Sequence, residues 1–237
     1  MRVGRLGIIL VFSAFISGAK ASTSFSFTGT FVTDDQLELF EFTAPSASVT
    51  LETFGYGGGM NQMGTVIPAG GFAPVLSVFD ATGGLISASP LVAIDFGGCT
   101  VGNVNPATGS AFDCSLNLTT LNPGDTYVLV LSEVDNSPLG GTFGDGFSEA
   151  GNGNFTDALN GCVGTAPFCD PNGLQDDTGS WAVDVDGVGS ATDITGGGVP
   201  EPSSTLLFGA GIGVLTLLRR RKAKLSGYFA ADGGRRP

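Results

Sequence analysis

All ten Lys and Arg residues of this 237-residue chain lie near its ends: Arg2, Arg5, Lys20, Arg219, Arg220, Arg221, Lys222, Lys224, Arg235 and Arg236. Histidine is absent throughout. Between Ser22 and Gly198 there are 20 of the 22 acids and no base, a formal charge of −20 for that stretch. Whatever folds there must fold without Lys or Arg ion pairs. The field repels nucleic acid, whose binding needs basic groups to neutralise phosphates. Ser-His-Asp and Cys-His catalysis and His-ligated zinc are excluded. A paired-carboxylate glycosidase mechanism is the one common hydrolytic route left open. No local motif singles out such a pair, so the sequence reads as non-enzymatic.

Unpaired carboxylates outside the cell attract hard divalent cations with oxygen ligands. Calcium is therefore the candidate cofactor, at three acidic clusters: Asp34 with Asp35 in a turn, Asp176 with Asp177 in a loop, and Asp184 with Asp186 on one strand face. None has the spacing of an EF-hand loop. The alternative for each is a solvated acidic turn or face. Four cysteines, Cys99, Cys114, Cys162 and Cys169, allow three pairings. Cys99–Cys114 and Cys162–Cys169 are favoured, because each closes a loop between nearby turns. Tyr56, Tyr127 and Trp181 are candidates for a saccharide-stacking face, although Trp181 at strand alternation also fits a core.

The middle of the chain reads as all-β. Short alternating runs sit between Gly, Pro, Asn and Asp turn signals. Strands are expected at 24–31, 37–42, 48–53, 74–80, 85–87, 116–121, 126–132 and 180–188. In the last, Trp181, Val183 and Val185 point inward and Asp184 and Asp186 outward. The run at 37–42 is apolar on both parities, as for a strand buried on both sides. Residues 54–71 read as a Gly-rich loop, and 136–178 as a long loop stapled by Cys162 and Cys169. No helix is expected outside the termini. Seven or eight strands predict a β-sandwich, jelly-roll-like. The order TDDQLELFEFTAP, PVLSVFDATGGLI, LNPGDTYVLVLS, SWAVDV resembles the bacterial pre-peptidase C-terminal type of β-sandwich. It also resembles the sandwich of one family in which a GTVIPAGGF-like segment, here Thr65–Phe72, precedes the PVLS strand. Those resemblances imply an extracellular adhesive or accessory role.

The termini read as targeting segments. Arg2 and Arg5 precede an apolar core at Leu6–Ile16, and Ala19-Lys20-Ala21 supplies a small-residue cleavage site: a signal peptide over 1–21. At the other end, Val199-Pro200-Glu201-Pro202 is held extended by its two prolines. Thr205–Leu218 follows, 14 residues without a charge, against roughly 20 for a comfortable transmembrane helix. Arg219, Arg220, Arg221 and Lys222 then hold the chain on the cytoplasmic side. This order of motif, apolar run and Arg cluster over 199–224 resembles the PEP-CTERM sorting signal of bacterial surface proteins. The resemblance implies recognition by an exosortase, a membrane protease-transpeptidase, with export in step with exopolysaccharide.

The expected organisation is a signal peptide (1–21), a β-sandwich ectodomain (22–191), a Gly-rich linker (192–198), a sorting signal with one transmembrane helix (199–224) and a cytoplasmic tail (225–237). The expected role is a non-enzymatic protein, transiently in the inner membrane and then at the cell surface or in the extracellular matrix. Its alternative is a calcium- or carbohydrate-binding accessory module. Exosortase and exopolysaccharide are the expected partners, and nucleic acid is not.

Overall fold

The computed structural model describes residues 23–95, 102–162, 168–172 and 177–195. The signal peptide, Cys99, Asp176, the sorting segment with Val199–Pro202 and Arg219–Arg221, and the tail lie outside the described residues. The strands are β1 (Thr23–Thr30), β2 (Glu38–Thr43), β3 (Val49–Thr53), β4 (Gly59–Met60), β5 (Val66–Ile67), β6 (Pro74–Asp80), β7 (Leu91–Asp95), β8 (Ser115–Leu118), β9 (Thr126–Glu133), β10 (Ser180–Val188) and β11 (Ser190–Asp193). A 3-10 turn (Phe143–Asp145) and a short helix, α1 (Phe155–Asn160), lie between β9 and β10.

Two antiparallel sheets carry the fold. The first has the order β1-β10-β3-β8 and the second β11-β2-β9-β6-β7; β4 and β5 form a separate ribbon. β1 pairs with β10, β2 with β9, β3 with β8, and β6 with β7. The first half of the chain thus pairs with the second half in reverse, and apart from the β4–β5 ribbon and the β6–β7 pair, successive strands alternate between sheets. That is the winding of a jelly roll. β11 is an addition at the edge of the second sheet, beside β2.

Side-chain alternation explains the layering. Phe27, Val49, Leu51, Trp181, Val183 and Val185 from the first sheet meet Phe40, Phe42, Leu76, Val78, Leu129 and Leu131 from the second. The opposite face of the second sheet is also buried. Phe79, Val128 and Val130 there are covered by Phe147, with Leu39 and Phe143 packed alongside. The central strands of that sheet are therefore apolar on both parities, as the 37–42 run foreshadowed. The long segment after β9 supplies the cover, which is why it carries aromatics without strand alternation.

Four local expectations differ from the structure. The chain after Gly84 does not return as a strand at 85–87. It turns again, with Ser89 N–H donating to the Ile86 carbonyl (2.9 Å), and the return strand is β7. The Gly-rich stretch 54–71 contains the β4–β5 ribbon, because Met60 pairs with Val66. The long loop contains α1, anchored by a carboxylate far away in sequence. The chain also stays bonded beyond Thr192, where the linker was expected to begin: β11 runs to Asp193, and Ile194 N–H donates to the Leu39 carbonyl (2.9 Å).

Gly29 of β1 sits opposite Trp181 of β10. A β-carbon at Gly29 would lie 2.6 Å from indole Cε2 and nearer still to Cζ2. The indole fills the space that a side chain would take. Gly29→Ala should lower stability by about 1–3 kcal/mol through overpacking, read as a lower urea midpoint. Gly141→Ala has open space at its β-carbon and should stay within about 0.5 kcal/mol of the parent.

Candidate functional site

Buried carboxylates organise the loops of this domain, and Asp34, Asp113, Glu133, Asp170 and Asp184 are held by uncharged donors. Asp34 is fully buried in the β1–β2 turn. Its Oδ1 accepts from the Asn154 N–H, and its Oδ2 from the Thr156 N–H and hydroxyl, both at 2.8 Å. It ties the start of α1 to the first turn of the fold. Asp35 accepts from the Gly151 N–H (3.1 Å). Asp113 accepts from the Tyr56 N–H (3.1 Å), the Gly57 N–H (2.7 Å) and the Thr53 hydroxyl (3.0 Å). Burial pushes its carboxyl up, and those donors pull the other way. Asp170, also fully buried, accepts from the Tyr56 hydroxyl. Burial, then that bond, pushes the Tyr56 phenol above its ordinary range. Glu133, at the end of β9, accepts from the Asp135 N–H (2.9 Å). Burial holds its carboxyl well above the usual carboxylate range.

The outer face of the first sheet repeats the pattern in register. Ser26, Asp184, Glu52 and Ser115 form one row across β1, β10, β3 and β8. Asp184 and Glu52 are like charges directly opposite one another, an unfavourable pairing in a sheet. The row offsets it from both sides: Ser26 donates to Asp184, and Ser115 donates to Glu52 (3.2 Å). The Gln62 N–H closes over Asp184 at 2.7 Å. Asp184 is buried as a result, and burial pushes its carboxyl up. Asp186 accepts from Ser24.

Of the candidate calcium ligands, Asp34 and Asp35 share the β1–β2 turn, Asp184 and Asp186 share the outer face of β10, and Asp177 is buried just before β10. Among the described residues, none of these carboxylates joins two other ligand groups within 4.8 Å; the one such group is Asp157 with Cys162 and Cys169. Those two cysteines are joined as a disulfide, so they offer no thiolate. Cys114 is disulfide-bonded as well, and Cys99 lies outside the described residues. The stacking-face expectation is corrected. Tyr56, Tyr127 and Trp181 are all buried, because each ring packs inside the sandwich or beneath its loops. Asp113, Asp170 and Glu133 were not singled out by the sequence. No motif marks them, since their partners are backbone groups or lie in distant segments.

A sizeable cleft opens beside Trp181. It has a volume of about 620 Å³ and runs between the end of β1, the start of β10 and the strap at 67–71. Thr28 and Thr30, Thr65, Thr178 and Ser180, and the indole edge line it. The strap is pinned from both sides. Gly70 N–H donates to the Tyr56 carbonyl (3.0 Å), Gly71 N–H to the Gly55 carbonyl (2.8 Å), and Thr178 N–H to the Gly70 carbonyl (2.8 Å). A β-carbon at Gly71 would fall 2.7 Å from the Gly55 oxygen, so only glycine fits there.

Residues 198–222 match the PEP-CTERM protein-sorting motif. The motif marks an exported protein that passes through the membrane and is sorted by an exosortase-type membrane protease. No curated protein and no solved structure matches the chain. Among the described residues, no helix is long and apolar enough to cross a membrane.

The fold hands the chain to that motif at β11. Leu39 N–H donates to the Thr195 hydroxyl (2.6 Å). Beside it, the Glu38 carboxyl is raised to about 7, first by burial and then by the charge of Asp193 and the hydrogen bond between the two acids. The folded state therefore keeps this proton longer than the unfolded chain, whose value is near 4.5. The stabilisation is complete below that value and is lost as pH rises through about 7. Asp95, Asp113, Asp135, Asp184 and Glu133 are displaced in the same direction, chiefly by burial. The melting temperature should fall between about pH 5 and pH 8, and Glu38→Gln should flatten that fall. A melting temperature that rises over the interval contradicts the assignment.

Proposed function

We propose that this chain is a non-enzymatic cell-surface or extracellular-matrix protein, sorted by an exosortase-type system in connection with exopolysaccharide. The observation that carries the reading is the sorting motif at 198–222. It begins three residues beyond Thr195, the last described residue of the jelly roll. The physical order of the tail supports the role. An extended Pro-Glu-Pro peptide is what a processing enzyme can grip. An uncharged run of 14 residues is short for permanent anchorage, and the Arg cluster behind it halts translocation.

The chemistry of the domain supports a role without catalysis. Ser22–Gly198 holds no histidine, lysine or arginine. Asp34, Asp113, Asp170 and Asp184 take hydrogen bonds from neutral donors, and the buried Glu38 bonds to the half-buried Asp193. A glycosidase acid–nucleophile pair instead flanks its substrate at about 5–10 Å. The signal peptide at 1–21 and the transmembrane run at 205–218 complete the route: through the inner membrane, held there briefly, then released to the surface.

Intact-mass analysis of the protein from its native host tests this. The expected product begins at Ser22 and lacks Thr205–Pro237. A full-length product that stays in the membrane would sink the proposal.

A further inference from the structure

We propose that the cleft beside Trp181 binds a short stretch of uncharged saccharide. The inference stands apart from sorting: it concerns the folded domain, and either could fail alone. Three observations carry it.

The first is the volume, about 620 Å³, within the range of roughly 300–1,000 Å³ typical of small-ligand clefts. The second is neutrality. The domain carries 20 acids in 177 residues, yet none is among the described residues lining this cleft. A cationic ligand finds no carboxylate in the wall, and an anionic one meets the repulsion of the whole domain. The third is the donor and acceptor set. Thr28 and Thr30 are exposed, and no described residue engages their hydroxyls. Hydroxyls donate and accept at once, which matches a ligand made of hydroxyls. Ile67, Pro68 and Ala69 add apolar surface for its C–H faces. A wholly apolar ligand would strip water from these hydroxyls and return nothing.

Trp181 is 5% exposed, and its indole edge at Cζ2 and Cε2 lies behind Gly29 in the cleft wall, so a ligand seated there changes the surroundings of the ring. The pinned strap means that the wall is formed before binding, so little ordering cost is added.

Trp181 is the only tryptophan in the chain, so its emission reports on this cleft alone. The experiment uses the full chain in a zwitterionic detergent without a sugar headgroup. Cellohexaose, maltohexaose and laminarihexaose are the neutral probes, and hexagalacturonate is the charged one. At least one neutral hexasaccharide should shift the Trp181 emission saturably at millimolar concentration or below, and hexagalacturonate should not. Thr28→Val with Thr30→Val should weaken that binding about tenfold with an unchanged melting temperature. No shift with any of the three neutral probes overturns the proposal. So does equal binding by hexagalacturonate, or undiminished binding by the folded double variant.

Discussion

The fold depends on one interaction: a carboxylate accepting hydrogen bonds from neutral groups. Seven carboxylates are buried among the described residues: Asp34, Glu38, Asp113, Glu133, Asp170, Asp177 and Asp184. Burying an ionised carboxylate costs several kcal/mol unless it is well satisfied. In most proteins a Lys or Arg answers part of that cost. Here no base exists between Ser22 and Gly198. Backbone N–H groups and hydroxyls take over, and loops are pinned in the process. Asp34 fixes α1, Asp113 fixes the strand exit at Thr53–Gly57, and Ser26 and Ser115 flank the facing acids Asp184 and Glu52. Where donors do not suffice, burial displaces the group toward its neutral form, as at Glu38 and Glu133.

The jelly-roll winding makes this arrangement workable. It pairs each early strand with a late one, so the turns of both chain halves gather close together. Asp34 then meets Thr156, and Tyr56 meets Asp170, across more than a hundred residues of sequence. The same winding divides the two sheets. The second is sealed on both faces by apolar packing. The first turns a row of serines and acids outward, half covered by the segment at Gln62. All basic residues lie near the chain ends, eight of the ten in the two segments read as targeting signals. The folded domain between them carries acids and no base.

Much of this was legible in the sequence, and the reasons for the remainder are physical. The alternation in Ser180–Val188 placed Trp181, Val183 and Val185 inside correctly, because one face of that strand is core and the other is polar. The two-sided apolar character of 37–42 announced a covered sheet. It did not say what covered it, since Phe143 and Phe147 sit in irregular backbone with no period to read. Helix α1 escaped notice because its six residues have little helical preference of their own, and a distant carboxylate anchors them. The cleft was invisible for a related reason. Thr28, Ile67, Gly71 and Ser180 become neighbours only through pairing and the strap, and the rings expected to form a stacking face turned inward instead.

Salt dependence at fixed pH tests this organisation most directly, on residues 22–198. A fold held by ion pairs weakens as salt screens them. A domain of 20 acids and no bases has only repulsion to screen. Its melting temperature in sodium chloride near neutral pH should therefore rise steadily with concentration, and rise less at acid pH, where the carboxylates are protonated. A melting temperature that falls with added salt near neutral pH would contradict a fold in which neutral donors, and no countercharge, hold the acids.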